Sequence, residues 1–347
     1  MHPHTLALQE RYPHLGPFKS YIAFRYAPPL THDALQAMAA DGVTRAVAFA
    51  QYPQFSCTTT GSSLNHLWRE AIRLGLERRF AWSVLDRWHS HPGFLAAVAR
   101  RVALGLAQFE PAVRHKVVIL FSAHSVPMLT VNRGDAYVTE VAASVSGVME
   151  LVRRGVDIGD GRSDGGVAAA GGGGGPAAAS AVISGARNPH TLSWQSKVGF
   201  LPWMGPSTDS AIKGLAAQGH QHVLAVPIAF TSDHVETLYE IDLEYAAEAA
   251  KAGIRHWRRA PSLNDEPLLT DAMAQLVGEH VASGAPAASP AYALNCVGCT
   301  NPACRTVLNP VAPYAKLREG NDACRVQGWP GAADLEALRA RGATPCD

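Results

Sequence analysis

The chain has 347 residues, 47% of them apolar and 17% charged, with a formal net charge of +1. Those proportions describe a globular protein with material for one large or two ordinary domains, and the balanced charge implies neither nucleic acid nor an acidic partner. No stretch approaches the roughly 18 uninterrupted apolar residues of a membrane span, since FLAAVARRVALGLAQF is broken by Arg100 and Arg101, so any membrane contact is expected to be peripheral.

The opening MHPHTLALQERYPHLGP has neither the apolar core of a signal peptide nor the Arg/Ser-rich, acid-poor character of a transit peptide, and localisation is not read from it. Beyond it, KSYIAFRY, TRAVAFAQY, KVVILFSAHS and QHVLAVPIAFTSDH are predicted as buried strands whose C-terminal ends deliver polar side chains. THDALQAMAADG, LNHLWREAIRLGLERR, DAYVTEVAASVSGVMELVRRG and STDSAIKGLAAQG are predicted as amphipathic helices, the last stopping at Gly219. Alternation of strand and helix predicts a doubly wound α/β architecture with mainly parallel sheets, in which ligands gather at the carboxyl ends of strands.

Residues 155–189 interrupt this pattern with a Gly/Ala run that cannot bury enough surface to offset its ordering entropy, and are expected to be a disordered insertion. The insertion separates an N-terminal lobe, 1–154, from a C-terminal lobe, 190–281. An extension, 282–310, begins with the loose ASGAPAASPA and carries a cysteine cluster; a loose tail, 311–347, shows little periodicity before DLEALRARG.

Three groups of residues have the makings of chemistry. His124, between Ser122 and Ser125 at the end of VVILF, is placed to be a general base or a metal ligand, against the plainer reading of a loop histidine capping a helix. In TSDHVETLYEIDLEY, Glu236, Glu240 and Glu244 recur every four residues behind Asp233 and His234, which stacks them along one helix face. Like charges so placed repel by a few tenths of a kcal/mol per pair, roughly, so the pattern is mildly unfavourable unless it is used, although a solvated face is its ordinary explanation.

The third group, Cys296, Cys299 and Cys304 in NCVGCTNPACR, has a C-x2-C-x4-C spacing that suits an iron–sulfur cluster or structural zinc, with Cys57, Cys324 or Cys346 as the fourth ligand. Arg25, Tyr52, Trp88 and Trp203 also stand at strand or loop ends, where a lone aromatic is more often core or rim than a ligand contact.

QYPQFSCTTTGSSLN, ILFSAHSVPMLTVNRGDAY, SWQSKVGFLPWMGPSTDSAIKGLAAQG, VPIAFTSDHVETLYEIDLEY and NCVGCTNPACR follow one another in the order of the ferrochelatase family, and the resemblance extends over residues 18–153 and 190–305. It implies a chelatase-like α/β fold of two similar doubly wound lobes, their parallel sheets flanked by helices. The implied activity is insertion of Fe(II) into protoporphyrin IX, giving protohaem and two protons, the last step of haem biosynthesis.

On the same resemblance His124 accepts a pyrrole proton or holds the metal, and Glu236 partners it across the pocket. Asp233, His234, Glu240 and Glu244 continue as an acidic ladder passing protons outward or metal inward. Arg25, Tyr52 and Trp203 line the porphyrin pocket, and Trp88 and His91, in DRWHSHP, match a nearby surface segment. Cys57 joins Cys296, Cys299 and Cys304 as the [2Fe–2S] set of the animal and fungal members, whereas Cys324 and Cys346 have no counterpart.

The implied partners are protoporphyrin IX and ferrous iron, with a homodimer in peripheral contact with the matrix side of the mitochondrial inner membrane, a plastid being the other address; no nucleic acid is implied. Family members begin with a strand, a Gly-Gly-Pro loop and a helical lip for which this sequence has no match. It is therefore expected to be a fragment, with its first lobe incomplete and one pocket wall missing. The competing expectation is a non-catalytic remnant that binds porphyrin or the cluster. A related cobalt chelatase, acting on an earlier tetrapyrrole, would not account for the four cysteines.

Overall fold

The computed structural model describes residues 3–158, 182–183, 187–294 and 296–299. Cys304, Cys324, Cys346, the tail 311–347 and most of the Gly/Ala-rich insertion lie outside them. Two compact units emerge, neither contiguous in sequence: the first takes the chain up to Trp88, Arg133–Ala136 and the described residues from Ala274 onward, and the second takes His89–Asn132 and Tyr137–Met273.

The first unit holds helices α1 (Pro3–Arg11) and α2 (Thr31–Ala40), strand β1 (Arg45–Phe49), a short π-helix (Cys57–Gly61) running into α3 (Ser62–Arg73), and strand β2 (Ala81–Leu85). β1 and β2 pair in parallel, from Arg45 beside Ala81 to Phe49 beside Leu85. On α3, Leu64, Trp68, Ala71 and Ile72 recur at helical spacing and are buried, packing with Leu35 and Met38 of α2 and with Trp82 and Val84 of β2. Burial of each large side chain stabilises the unit by about 1.5–3 kcal/mol. The later chain joins the same core: Val84 N–H donates to Pro286 O, Ala288 N–H donates to Val84 O, and Tyr292 is buried with the α2 and α3 side chains.

One predicted strand of this unit is absent. KSYIAFRY forms only an isolated bridge between Phe24 and Leu30, because Phe24 N–H donates to Pro29 O and Thr31 N–H donates to Phe24 O, turning the chain back on itself. Tyr21 packs against the core of the unit, while Ile22, Phe24 and Tyr26 stay exposed.

The second unit contains α4 (Pro92–Ala107), α5 (Pro111–Arg114), β3 (Val118–His124), α6 (Met128–Asn132), α7 (Tyr137–Arg154), β4 (Val156–Asp157), β5 (Val182–Ile183), β6 (His190–Gln195), α8 (Thr208–Ala217) and β7 (His222–Pro227). A second π-helix (Glu236–Glu244) then runs into α9 (Tyr245–Ala252), followed by β8 (His256–Arg259) and α10 (Pro267–Ser283), whose residues from Ala274 belong to the first unit. The main sheet runs β6-β3-β7-β8, all parallel.

β3 lies inside that sheet with Val118–Ala123 all buried, which is why its sequence is an unbroken apolar run rather than an alternation. Successive residues serve opposite faces: Val223 packs with Ile212 of α8 and Ala249 of α9, while Leu224 meets α4, where a Cβ on Gly105 would lie 2.7 Å from a Leu224 methyl. Arg100 and Arg101, which interrupt the apolar course of α4, both pair with the buried Glu266. At the ends of the insertion, Val156 and Asp157 pair antiparallel with Ile183 and Val182, so those four residues are ordered. Among the described residues no helix is long and apolar enough to cross a membrane.

Candidate active site

In the second unit the carboxyl end of β3 presents His124, with Gln195 beside it on β6. The chain after it is pinned to a second segment: Met204 N–H donates to Val126 O at 2.9 Å, Met128 N–H to Pro202 O at 2.9 Å, and Ser125 Oγ to Met204 O at 2.9 Å. This pairing sets Trp203 beside His124, with ring centroids 6.5 Å apart. His124 Nδ1 lies 2.6 Å from Ser125 O. A carbonyl only accepts, so Nδ1 carries the proton and Nε2 is the basic nitrogen. That Nε2 faces Glu236 Oε1 at 3.7 Å, too long for a direct hydrogen bond but within reach of a shared proton carried by a third group.

Glu236 opens the second π-helix, and Glu240 and Glu244 follow on it. In an α-helix a four-residue step overshoots a full turn by about 40°. The wider i→i+5 winding turns less per residue and removes that overshoot, so the line the three carboxylates follow is set by it. Exposure rises along the row, from half-buried Glu236 and Glu240 to exposed Glu244. Burial raises the Glu236 carboxyl above its ordinary range, with His124 and His234 opposing the rise and Glu240 adding to it.

Gln195 and Ser196, which the sequence did not single out, fasten this row to the sheet. Gln195 Oε1 accepts from Ser122 Oγ at 2.6 Å, while its Nε2 donates to Glu236 O at 2.9 Å and to Glu240 Oε2 at 3.3 Å. Ser196 Oγ donates to the same Glu240 oxygen at 2.6 Å. The signal for Gln195 was its place at a strand's carboxyl end, but β6 itself, HTLSWQ, was too polar to be recognised as a buried strand. Tyr245, just past the row, is pushed up to about 12 by burial and the Glu240 charge, so its hydroxyl stays protonated near neutrality.

Asp233 and His234 stand differently. His234 Nδ1 accepts the Glu236 N–H at 3.1 Å, capping the π-helix, and its ring lies edge-on to Phe230 with centroids 4.7 Å apart. Asp233 Oδ1 accepts from Ser262 Oγ at 2.6 Å and Thr237 Oγ1 at 3.1 Å, and pairs with Arg259 at 3.1 Å; Asp233 Oδ2 accepts from Asn264 Nδ2 at 2.8 Å. Burial alone would raise this carboxyl, but the hydrogen bonds from Ser262 and Asn264, the Arg259 charge and the Thr237 hydroxyl together hold it below its ordinary value.

Arg25 and Tyr52 belong to the first unit. The Arg25 guanidinium donates to Ser62 Oγ at the start of α3 and lies 4.9 Å from the Tyr26 ring centroid, while Tyr52 is exposed. Trp88, expected on a surface segment, is instead buried, its indole N–H donating to Ala50 O at 2.9 Å. His91, in the second unit, is a helix cap: its Nδ1 accepts Gly93 N–H at 3.2 Å at the start of α4.

Cys57 begins the first π-helix, and its N–H donates to Asp135 Oδ2 at 2.7 Å. Gly298, between Cys296 and Cys299, donates its N–H to Arg133 O at 2.9 Å. The turn Arg133–Ala136 therefore gathers Cys57 and the C-x2-C loop, a soft thiol set of the kind that suits iron–sulfur ligation, with Cys304 outside the described residues. Among the described residues no three His, Cys, Asp or Glu groups converge as a ready site for a single metal ion.

A parallel sheet flanked by helices, with titratable side chains at its carboxyl ends, defines an α/β protein with its candidate site at the strand ends. The fold is similar to that of SirB from Bacillus subtilis with Fe3+, at a TM-score of 0.51 and 13% identity over 80% of this chain and 88% of that one. The family model for ferrochelatase matches residues 4–281. Mitochondrial ferrochelatases of Bos taurus, Homo sapiens and Schizosaccharomyces pombe are 46%, 44% and 39% identical over 86%, 86% and 87% of the chain. The chain belongs to the ferrochelatase family, and it spans 64%, 63% and 63% of the length of those three relatives.

Proposed function

We propose that this chain inserts ferrous iron into protoporphyrin IX, yielding protohaem and two protons. The observation that carries this reading is the pairing of His124 Nε2 with a half-buried Glu236 whose carboxyl is held above its ordinary range, at the head of a row of acids leading to solvent. Two pyrrole N–H groups must lose protons as the metal enters. His124 Nε2 accepts them one after the other, and Glu236, its carboxyl held above its ordinary range by burial, takes each on and passes it to Glu240 and Glu244. The same oxygen and nitrogen donors suit labile Fe(II), which thiolates would hold too tightly to hand on. Asp233, with both oxygens engaged, is an anchor for the row rather than a relay within it.

Trp203 stacks against the macrocycle beside His124, and the resemblance adds Arg25 and Tyr52 as porphyrin-binding residues. Cys57, Cys296, Cys299 and Cys304 would hold a [2Fe–2S] cluster whose role is structural or regulatory. The relatives' mitochondrial names support a mitochondrial setting. The resemblance adds a homodimer in peripheral contact with the matrix side of the inner membrane.

The test is anaerobic insertion of Fe(II), with Zn(II) as a fluorescent stand-in, into a soluble porphyrin by the purified chain. His124→Ala is expected to lower turnover by about 10²–10⁴-fold. Turnover by the parent chain no greater than that of His124→Ala, with porphyrin binding retained, would instead identify a non-catalytic porphyrin-binding remnant.

A further inference from the structure

Asp135 is 7% exposed and accepts hydrogen bonds in the cysteine region. Its Oδ2 accepts the Cys57 N–H at 2.7 Å and the Ser56 hydroxyl at 3.3 Å, and Ser56 Oγ in turn caps the π-helix by accepting the Thr58 N–H at 3.3 Å. A charged acceptor on a backbone amide is a stronger tether than a neutral one, so the Cys57 backbone is fixed from the side of this carboxylate.

The turn that carries Asp135 also receives the second cysteine segment. A Cβ on Gly134, whose φ is +88°, would lie 3.3 Å from Val297 N, and a Cβ on Gly298 would lie 3.1 Å from Arg133 Cα. Two backbones thus pack against each other with no side chain between them, joined by the Gly298 N–H bond to Arg133 O. Cys299 N–H closes the C-x2-C turn on Cys296 O at 2.9 Å. Both cysteine segments therefore meet the same four residues.

We propose that Asp135 is the positioning residue of the iron–sulfur centre: it sets the Cys57 backbone against the C-x2-C loop, and its buried negative charge disfavours adding an electron to the cluster. This rests on the [2Fe–2S] reading given above. Groups that orient metal ligands govern how firmly a metal is kept, and charges and hydrogen bonds around iron–sulfur clusters set their potentials.

The experiment uses the full chain, purified anaerobically, as parent, Cys299→Ser, Asp135→Asn and Asp135→Glu. Iron and sulfide content, visible absorbance, midpoint potential and the rate of cluster loss to a chelator are measured, with circular dichroism reporting the fold. Asp135→Asn removes the charge but keeps an acceptor, and is expected to shift the potential positive and speed cluster loss several-fold. Asp135→Glu keeps the charge but displaces it, and is expected to speed cluster loss while leaving the potential low.

A parent chain without iron and sulfide, indistinguishable from Cys299→Ser, would overturn the cluster reading and this proposal with it. A parent that holds the cluster, with Asp135→Asn matching it in potential and loss rate, would overturn the proposal alone. Should Asp135→Asn fail to fold, a loss rate for Asp135→Glu equal to the parent's would overturn it.

Discussion

Glu236 and Asp233 are three residues apart, and their carboxyls are shifted in opposite directions from their ordinary values. Because burial makes native Glu236 hold its proton more tightly than the unfolded chain does, its contribution to stability is full below the ordinary glutamate range and is lost as pH rises through the native value. Glu236→Gln is therefore expected to raise the melting temperature at neutral pH and to change it little in acid. Asp233 has the reverse sign: its stabilisation is full above the ordinary aspartate range and fades as pH falls through its lowered value. Asp233→Asn is expected to cost about 1–3 kcal/mol at neutral pH, read by urea unfolding, and progressively less in acid. The sequence placed both acids in one ladder because spacing is local information. What separates them is Arg259, Ser262 and Asn264, which lie far along the chain and meet Asp233 only through the fold.

Among the elements, α3, α7 and α8 were legible because each buries one face at helical spacing, and β3 because a run buried on both sides is apolar throughout. β8, HWRR, was not, since among the described residues it pairs only with β7 and needs little apolar surface. KSYIAFRY misled for the opposite reason, having strand-like composition but no sheet to join. The π winding at Glu236–Glu244 had no local signature beyond the four-residue recurrence of acids, yet the alignment of the row depends on it. Deleting Leu238, which is exposed, would return this stretch toward α winding and bring Glu240 one residue closer to Glu236, swinging it off the line. The expected result is a loss of about a hundredfold in zinc insertion with the circular dichroism spectrum preserved; undiminished turnover would mean that alignment of the carboxylates is immaterial.

Across the whole molecule, the chain passes between its two units after Trp88, after Asn132, after Ala136 and after Met273. No single cut yields two pieces that each contain a whole unit. Residues 1–88 and 89–347 made as separate polypeptides are each expected to lack the cooperative melting of the intact chain, and a sharp melt from either alone would show that its unit is self-sufficient. The interleaving also orders events during synthesis. The residues of the first unit up to Trp88 emerge ahead of the second unit, but its last strand-like segment, Tyr292 and the Cys296–Cys299 loop follow only when the second unit is already complete at Met273. The unit begun first is therefore finished last, and its nascent β1–β2 sheet must wait, partly uncovered, through the emergence of nearly everything else.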